Sequence, residues 1–270
     1  MIIDVHTHIF PHMIAEDVLA KAEQNLELPA KALGTEKDIR DHMNSSGTDI
    51  SIVLAAAPEP RFVKRTNDWL LSIRDERIHF FGTVLPDLEG WEEELMRLKE
   101  EGVKGIKFNA LIQNIRPDDE EMFPIYEKMV EEDMVALFHA GASHKDRNHP
   151  EKILATPERI AKVINTFPGL KVIAAHFGGN HVLEQMREHL LGRNVYFDTS
   201  YPPDVYAHDP KLVTSIIRKH GAERILFGTD YPWETQTRGI QYIRSLDLTE
   251  KEKTLILGEN ARRILFETGN

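Results

Sequence analysis

Two histidines separated by one residue are the first side chains of this chain whose spacing suggests chemistry. His6 and His8 follow the mostly apolar residues 2–5, which have the composition of a strand. Side chains alternate between the two faces of a strand, so both imidazoles point the same way and can reach one metal ion. The pair therefore predicts a divalent-metal site, although two structural histidines at a strand end would produce the same short motif.

Three more side chains that commonly bind metals follow strand-like segments farther along the chain. His139 and His176 come directly after such segments, and Asp230 comes shortly after another. Each alone has an ordinary structural explanation, such as a hydrogen-bonded histidine or an aspartate that caps a turn. Active sites of parallel barrels form where the strands end, so four strands would bring all five side chains to one mouth. The histidines assigned instead to helix surfaces are His42, His189 and His220.

The elements that would position these side chains are eight strand-like segments alternating with amphipathic, helix-like ones. This alternation is typical of parallel strands joined by helical crossovers, and eight such units in 270 residues predict a (β/α)8 TIM barrel. We predict one domain over residues 1–270, because no internal repeat or linker interrupts the pattern. The predicted strands are residues 2–5, 50–55, 79–84, 103–108, 134–138, 171–175, 195–198 and 224–227.

The composition limits both the metal ligands and the partners. The chain has no cysteine, which excludes thiolate metal sites and disulfides, so a metal must bind histidine and carboxylate. The formal net charge of −11 argues against a nucleic-acid partner. No apolar run is long enough to cross a bilayer and the N-terminus lacks the pattern of a signal peptide, so we expect a cytoplasmic protein with a small-molecule substrate and no membrane partner. The sequence leaves the oligomeric state open, a homo-oligomer included.

Two connections are longer than a barrel requires and predict either binding loops or surface decoration. They are residues 9–34, after the first strand, and residues 140–156, after the fifth. Arg147 lies in the second connection, where it could bind a substrate carboxylate or remain a solvated surface charge.

Several side chains that follow strands directly are predicted to line a pocket above the metal. Their mixture of aromatic and polar groups is typical of a small-molecule site, although packing would use the same residues. The candidates are Phe10, Asn109, Phe177, Tyr201 and Trp233, with Asp198 and Glu234 as further ones.

Six segments of the chain together resemble a known family. They are residues 4–8, 105–108, 138–141, 175–179, 228–232 and 257–265. They resemble the amidohydrolase superfamily, and within it the amidohydrolase-related branch (amidohydrolase 2) that contains aminocarboxymuconate-semialdehyde decarboxylase and related hydroxybenzoate decarboxylases. The resemblance covers nearly the whole chain and implies a metal-dependent TIM-barrel enzyme.

The resemblance also implies a ligand set. His6, His8, His139 and Asp230 would bind one divalent ion, with zinc as the first expectation and manganese, iron or cobalt as alternatives. His176 would lie near the ion and either transfer a proton or orient the bound water. Three imidazoles and one carboxylate suit these ions, and a remaining open position for water would make the site catalytic.

Lys107 and Asp4 have roles that the resemblance leaves less defined. In two-metal members of the superfamily a lysine on the comparable fourth strand is carboxylated and bridges the ions. The preferred alternative is that Lys107 is an amine that contacts substrate or a carboxylate. Strand alternation predicts that Asp4 shares the face of His6 and His8 and supports the ligands as a buried acceptor.

Three functions are consistent with this site. The first prediction is hydrolysis of a carboxylic ester, lactone or amide by metal-activated water, in which Asp230 transfers the proton and His176 stabilises the developing negative charge. The second is a lyase: metal-dependent, non-oxidative decarboxylation of an aromatic or unsaturated carboxylic acid, with Asp230 or His176 protonating the carbon that loses carbon dioxide. The third is a barrel that binds metal without catalysis.

Overall fold

Eight parallel strands form a ring in the computed structural model, which describes residues 1–201 and 208–267. Hydrogen-bonded neighbours follow chain order from β1 to β3 and from β4 to β8. A bridge between Gly82 and Ile106 joins the two sets, and the Val5 N–H donates to Phe227 O at 2.9 Å on the closing side. The fold is therefore a (β/α)8 barrel, as the sequence predicts. The strands are β1 (Ile3–Thr7), β2 (Ile50–Leu54), β3 (Ile78–Phe81), β4 (Gly105–Phe108), β5 (Val135–Phe138), β6 (Lys171–Ala174), β7 (Tyr196–Asp198) and β8 (Ile225–Leu226).

Helices follow the strands and form the outer layer of the barrel. In the part of the chain that the structure describes, none is long and apolar enough to cross a membrane. A π-helical turn, Leu255–Glu259, joins the last two helices into one run. The helices are α1 (His12–Leu26), α2 (Glu36–Ser46), α3 (Pro60–Ile73), α4 (Trp91–Glu100), α5 (Ala110–Gln113), α6 (Phe123–Glu131), α7 (Pro157–Thr166), α8 (Leu183–His189), α9 (Pro210–His220), α10 (Gln236–Ser245), α11 (Glu250–Thr254) and α12 (Asn260–Leu265).

The lower half of the barrel interior is a packed apolar core. Alternate residues of the strands, among them Val5, Ile52 and Leu137, form one buried cluster. Ala261 and Leu265 of α12 belong to the same cluster and close the end of the barrel opposite the strand termini. Polar side chains can therefore gather only at the other end, where the strands finish.

A β-bulge in β1 decides which of its side chains reach that mouth. Asp4 pairs with Ser51, but Thr7 pairs with Val53, so β1 contains one extra residue between these two points. Such a bulge turns the following side chains relative to the preceding ones. It places Val5 in the interior core and still lets His6 line the cavity at the mouth.

Asp4 lies away from the imidazoles as a result, contrary to the simple alternation prediction. Its carboxylate accepts hydrogen bonds from Gln236 Nε2 of α10, Thr229 Oγ1 and the backbone N–H groups of His6 and Thr229. Burial raises the pKa of Asp4 to about 6, although these hydrogen bonds lower it. Asp4 is a buried acceptor as predicted, but it fixes the backbone beside two strand ends rather than an imidazole ring.

The first long connection contains a helix that the sequence prediction lacks. The sequence predicts residues 9–34 only as a long connection, either a binding loop or surface decoration, but α1 occupies more than half of them. The helix starts after Pro11 without a side-chain cap, and Ala15 is its one buried residue, so the usual signals of a helix are weak. The second connection, residues 140–156, is irregular except for the 3-10 turn Pro150–Lys152, in agreement with its prediction as a loop.

His220 is buried, and its assignment to a helix surface was wrong. Its ring stacks on Phe197 with centroids 3.8 Å apart, Nε2 lies 2.7 Å from Val195 O, and Nδ1 accepts from the Gly192 N–H at 3.1 Å. The neutral ring donates once and accepts once, which satisfies both contacts. Burial lowers its pKa to about 4. His42 and His189, by contrast, are partly exposed on their helices.

We expect His220 to make the stability of the fold depend on pH. Between pH 6.5 and 4 the unfolded chain binds a proton at His220 that the folded chain does not, so the free energy of unfolding falls as the pH falls through this window. In His220→Gln, urea unfolding should show a loss of about 1–2 kcal/mol at pH 7 from weaker contacts. Towards pH 4 the difference from the wild type should shrink to zero and then change sign, because the variant lacks the penalty of up to about 3 kcal/mol that the neutral, buried histidine imposes at low pH. A difference that stays constant over this range would contradict the assignment.

Candidate metal centre

A cavity of about 380 Å³ opens at the mouth of the barrel, where the strands end. Helix α1 forms its outer wall through Val18, Lys21, Ala22, Asn25 and Leu26. The structure brings nine of the predicted site residues to its walls: His6, His8, Phe10, Lys107, Asn109, His139, His176, Asp230 and Trp233.

Three of these residues form a tight cluster of possible metal ligands. Asp230 Oδ1 lies 3.2 Å from His6 Nε2 and 3.3 Å from His8 Nε2, and the three side chains are buried. A tetrahedral ion with ligand distances of about 2.0–2.1 Å separates its ligand atoms by about 3.3–3.4 Å, so these spacings match an ion held between them. No hydrogen bond or ion pair among the described residues uses Asp230 Oδ2.

The backbone around Asp230 is held in an unusual conformation. Asp230 has φ 62°, in the left-handed region that side chains other than glycine rarely adopt. Its N–H donates to His6 O at 2.8 Å, and Asp4 holds the preceding Thr229. These contacts between β1 and the loop after β8 fix the Asp230 carboxylate against the two imidazoles.

Asp198 is the central acceptor beneath the cluster. Its Oδ2 accepts from His6 Nδ1 at 2.7 Å, which leaves His6 Nε2 free for a metal. Its Oδ1 accepts from the His176 and Ser200 backbone N–H groups and from Ser200 Oγ at 2.5 Å. The sequence pattern predicts Asp198 only as a pocket-lining candidate and does not indicate Ser200, because contacts between the end of β7 and β1 depend on strand register.

A chain of hydrogen bonds assigns the tautomer of His139. Ser200 Oγ donates to Asp198 and therefore accepts from His176 Nδ1, 2.8 Å away. His176 Nε2 is then an acceptor for His139 Nδ1–H at 3.0 Å. His139 Nε2 keeps its lone pair, is buried, and has no hydrogen-bond partner among the described residues. A metal ligand requires such an unpaired nitrogen, so the residues fit a divalent ion although His139 lies outside the tight cluster.

The electrostatics favour metal-binding protonation states for the proposed ligands other than His6. Burial lowers the pKa of His6, but Asp198 and Asp230 outweigh burial and raise it, so an ion bound there would displace a proton. Burial and the neighbouring histidine lower the pKa of His139 well below its usual value, and burial lowers that of His176 to about 3, so both are neutral at pH 7. Burial favours the neutral form of Asp230, but His6 and His8 outweigh it and hold its pKa well below the usual range. An ionised carboxylate and neutral imidazoles with free lone pairs are the forms that bind metal.

Lys107 is a buried amine without a partner. It is 0% exposed, its Nζ makes no hydrogen bond among the described residues, and it lines the same cavity. Burial lowers its pKa to about 8, while Asp198 and Asp230 favour the charged form. An ammonium without a hydrogen-bond partner is costly to bury, so this amine is available to pair with an anionic group in the cavity.

Five predicted contact residues lie outside the cavity: Asp198, which supports the ligands from beneath, Glu234, which pairs with Lys31, and Phe177, Tyr201 and Arg147. Phe177 is buried in the core with φ 52°, and Tyr201 is buried with its hydroxyl accepting from the His181 N–H at 2.7 Å. Arg147 is exposed and pairs with Glu27 at 3.2 Å, so its placement does not support the predicted contact with a substrate carboxylate. A residue can follow a strand directly and still turn into the helix layer.

Ser200→Ala is expected to weaken metal binding without unfolding the protein. The substitution removes the hydroxyl that links Asp198 to His176, so the imidazoles lose part of their orientation. Changes to groups that orient ligands typically lower metal affinity by about 10–100-fold. Calorimetric titration of the metal-free protein with Mn²⁺ or Zn²⁺ measures the effect, with Ser215→Ala on α9 as the matched control. Equal affinities for the two variants would show that the hydrogen-bond chain does not support the ligands.

Comparison with known proteins identifies the family. The family profile described as amidohydrolase matches residues 3–266. The chain belongs to this amidohydrolase family. The resemblance stated from the strand-end motifs is thereby confirmed, and the histidine and aspartate cluster lies where the enzymes of this barrel fold place their active sites.

Two relatives are similar in sequence to part of this chain. The decarboxylase orsB of Emericella nidulans is 27% identical over 124 residues, which is 39% of this chain and 37% of the relative. The 2-keto-4-carboxy-3-hexenedioate hydratase of a Sphingobium species is 28% identical over 181 residues, or 54% of this chain and 50% of the relative. The matches thus span between about a third and a half of these relatives.

Solved structures match the fold over almost its full length. The 5-carboxyvanillate decarboxylase of Sphingomonas paucimobilis superimposes with a TM-score of 0.73 and 18% identity, covering 99% of each chain. A dihydroxybenzoic acid decarboxylase of Polaromonas sp. JS666, solved with bound manganese and the inhibitor 2-nitroresorcinol, gives a TM-score of 0.71 and 19% identity, covering 98% of this chain and 96% of that one. At such identities the matches establish the barrel fold.

Proposed function

We propose that this amidohydrolase is a metal-dependent, non-oxidative decarboxylase of an aromatic or unsaturated carboxylic acid. The observation that carries the proposal is the buried, unpaired Lys107 amine beside the histidine and aspartate cluster in one cavity. An ester, lactone or amide brings no anion to pair with this amine, whereas a carboxylate does. Charge-assisted hydrogen bonds of this kind are the strong ones in proteins.

The walls of the cavity favour a flat, largely apolar substrate. Phe10, Trp233 and the α1 side chains Val18 and Leu26 line the cavity. His8 and Trp233 are in edge contact with ring centroids 5.4 Å apart, which fixes the indole beside the proposed ligands. Apolar walls with a few polar groups are typical of sites for ring-bearing small molecules.

His6, His8, His139 and Asp230 would hold the ion, which is expected to be zinc or manganese. Such an ion supplies a Lewis acid for the carboxylate or for a neighbouring hydroxyl of the substrate. Manganese gains support from its presence in the Polaromonas decarboxylase. Lys107 would bind the carboxylate, and Asn109, whose Oδ1 accepts from the Leu111 N–H, keeps its amide N–H groups to donate to the substrate.

Asp230 is the proposed proton donor. Its Oδ2 is uncommitted among the described residues, whereas both ring nitrogens of His176 are engaged with Ser200 and His139. Asp230 takes a proton from water and passes it to the substrate carbon that bears the carboxylate. The new C–H bond uses a π electron pair of the ring or double bond. When the bond to the carboxylate breaks, its electron pair restores that π bond and carbon dioxide leaves, and the hydroxide left from the water is returned to solvent. His176 would position His139 rather than react.

Decarboxylation is preferred to the hydrolysis that the sequence suggested first. The decarboxylases and the hydratase among the similar proteins support this order. The test is incubation of the manganese-loaded and zinc-loaded protein with hydroxybenzoates and, separately, with aryl esters and lactones. Release of carbon dioxide that stops on chelation supports the proposal. Metal-dependent cleavage of esters or lactones without any carbon dioxide release would overturn it.

A further inference from the structure

Helix α1 presents one face to the cavity. Val18, Lys21, Ala22, Asn25 and Leu26 all line it, at the positions i, i+3, i+4, i+7 and i+8 that share one side of a helix. Because helical geometry fixes this face, Lys21 is at the cavity by the placement of the helix and not by a chance rotamer. None of the sequence signals used to predict the site included these residues.

The two ends of α1 are attached to the elements that carry the proposed ligands. At its near end, residues 8–11 connect β1 to the helix and include the proposed ligand His8. Beyond its far end, Lys31 Nζ pairs with Glu234 Oε2 at 2.7 Å, and the Lys31 N–H donates to Pro232 O at 2.8 Å. The Phe10 N–H donates to Gly34 O at 2.8 Å. These contacts hold the inner face of α1 across the cavity from the loop that contains Asp230.

Lys21 lacks the ion-pair partner that most other charged side chains around the mouth have. Arg147 and Lys31, on neighbouring segments, each form an ion pair with a glutamate. Lys21 is exposed at the rim and makes no ion pair or hydrogen bond among the described residues. Among the described residues that line the cavity, two side chains are cationic, the fully buried Lys107 and the exposed Lys21, and Asp230 is the one carboxylate.

We infer that Lys21 binds a second anionic group of the substrate, an inference that rests on the proposed decarboxylation. The substrate is therefore a dicarboxylic acid or an acid of equivalent charge. One carboxylate pairs with Lys107 on the floor of the cavity, and the flat body lies against the apolar walls. The second anion then reaches the rim, where Lys21 and, one turn later, Asn25 can donate to it. Lys21 is a specificity residue and takes no part in the bond-breaking step.

The test compares two probe acids that differ by one carboxylate. Salicylate and 4-hydroxyisophthalate are titrated calorimetrically into the manganese-loaded wild type, Lys21→Met and Lys21→Glu. Lys64→Met, an exposed lysine on α3 that does not line the cavity, is the matched control. We expect the wild type and the control to bind 4-hydroxyisophthalate about tenfold more tightly than salicylate, which is the effect of one charge-assisted contact. Lys21→Met should remove this preference and Lys21→Glu should reverse it.

The possible results separate this inference from the proposed function. An unchanged preference in Lys21→Met, equal binding of the two acids by the wild type, or binding of neither would overturn the role of Lys21. Carbon dioxide release measured on the same samples reports on decarboxylation alone. A preference that depends on Lys21 without carbon dioxide release would keep the anion subsite and remove the decarboxylase assignment.

Discussion

Asp230→Asn is expected to lower kcat for decarboxylation by about a thousandfold, the order found when a positioned proton donor is lost. Asparagine keeps the shape of the side chain and one oxygen beside His6 and His8, but it cannot carry the proton to the substrate carbon. The backbone contacts of Asp230 to His6 O and of Thr229 to Asp4 do not involve the carboxylate. The variant should therefore fold normally.

The measurement for Asp230→Asn is carbon dioxide release at saturating metal and substrate. Metal content is determined on the same sample, so that loss of the ion is distinguished from loss of the proton. Asp247→Asn, whose side chain is 95% exposed, is the matched control. Turnover within a few-fold of the wild type in metal-loaded Asp230→Asn would remove the proposed donor and direct attention to His176.

Lys107→Met is expected to stabilise the fold and damage the reaction. Methionine has similar bulk and no charge, and it removes a buried donor that has no hydrogen-bond partner among the described residues, whose desolvation costs about 1–3 kcal/mol. The same change removes the proposed partner of the substrate carboxylate, so kcat/KM should fall by about 100-fold. Few active-site substitutions should move stability and activity in opposite directions so clearly.

Urea unfolding of the metal-free protein and steady-state kinetics of the loaded protein measure the two effects of Lys107→Met. Lys107→Arg keeps a charge but changes its shape, and it should not gain stability. A large loss of stability in Lys107→Met with unchanged kcat/KM would show that Lys107 serves the fold through its attraction to Asp198 and Asp230.

The positions of the main site residues could be predicted because a parallel barrel aligns all its strand ends. The prediction requires only that certain residues lie at or just beyond the ends of strands, and their common level then follows from the fold. These residues are His6, His8, His139, His176 and Asp230. The β-bulge could not be predicted in this way. A single extra residue between Asp4 and Thr7 changes which side chains share a face, and one-residue shifts of register leave little trace in an apolar pattern.

The other features that the sequence did not predict depend on contacts between segments that are distant in the chain. Ser200 joins His176 to Asp198 only because β6 and β7 are neighbours in the right register. Helix α1 lacks a buried stripe because its inner face meets a cavity and not a core, so its apolar residues do not form the usual signal. His220 is the last residue of α9, whose final turn is basic and suggests an exposed surface. Its ring nevertheless stacks on Phe197 of β7 and bonds the backbone at Val195 and Gly192.

The metal content per chain tests the central claim most directly. Protein purified without chelator or histidine tag is loaded with Mn²⁺ or Zn²⁺, passed through a desalting column and measured by elemental analysis, alongside a His8→Ala, Asp230→Asn double variant. One ion per wild-type chain and almost none in the double variant is the predicted result. Equal metal in the two proteins, or none in the wild type, would contradict the site, and two ions per chain would contradict the free amine assigned to Lys107.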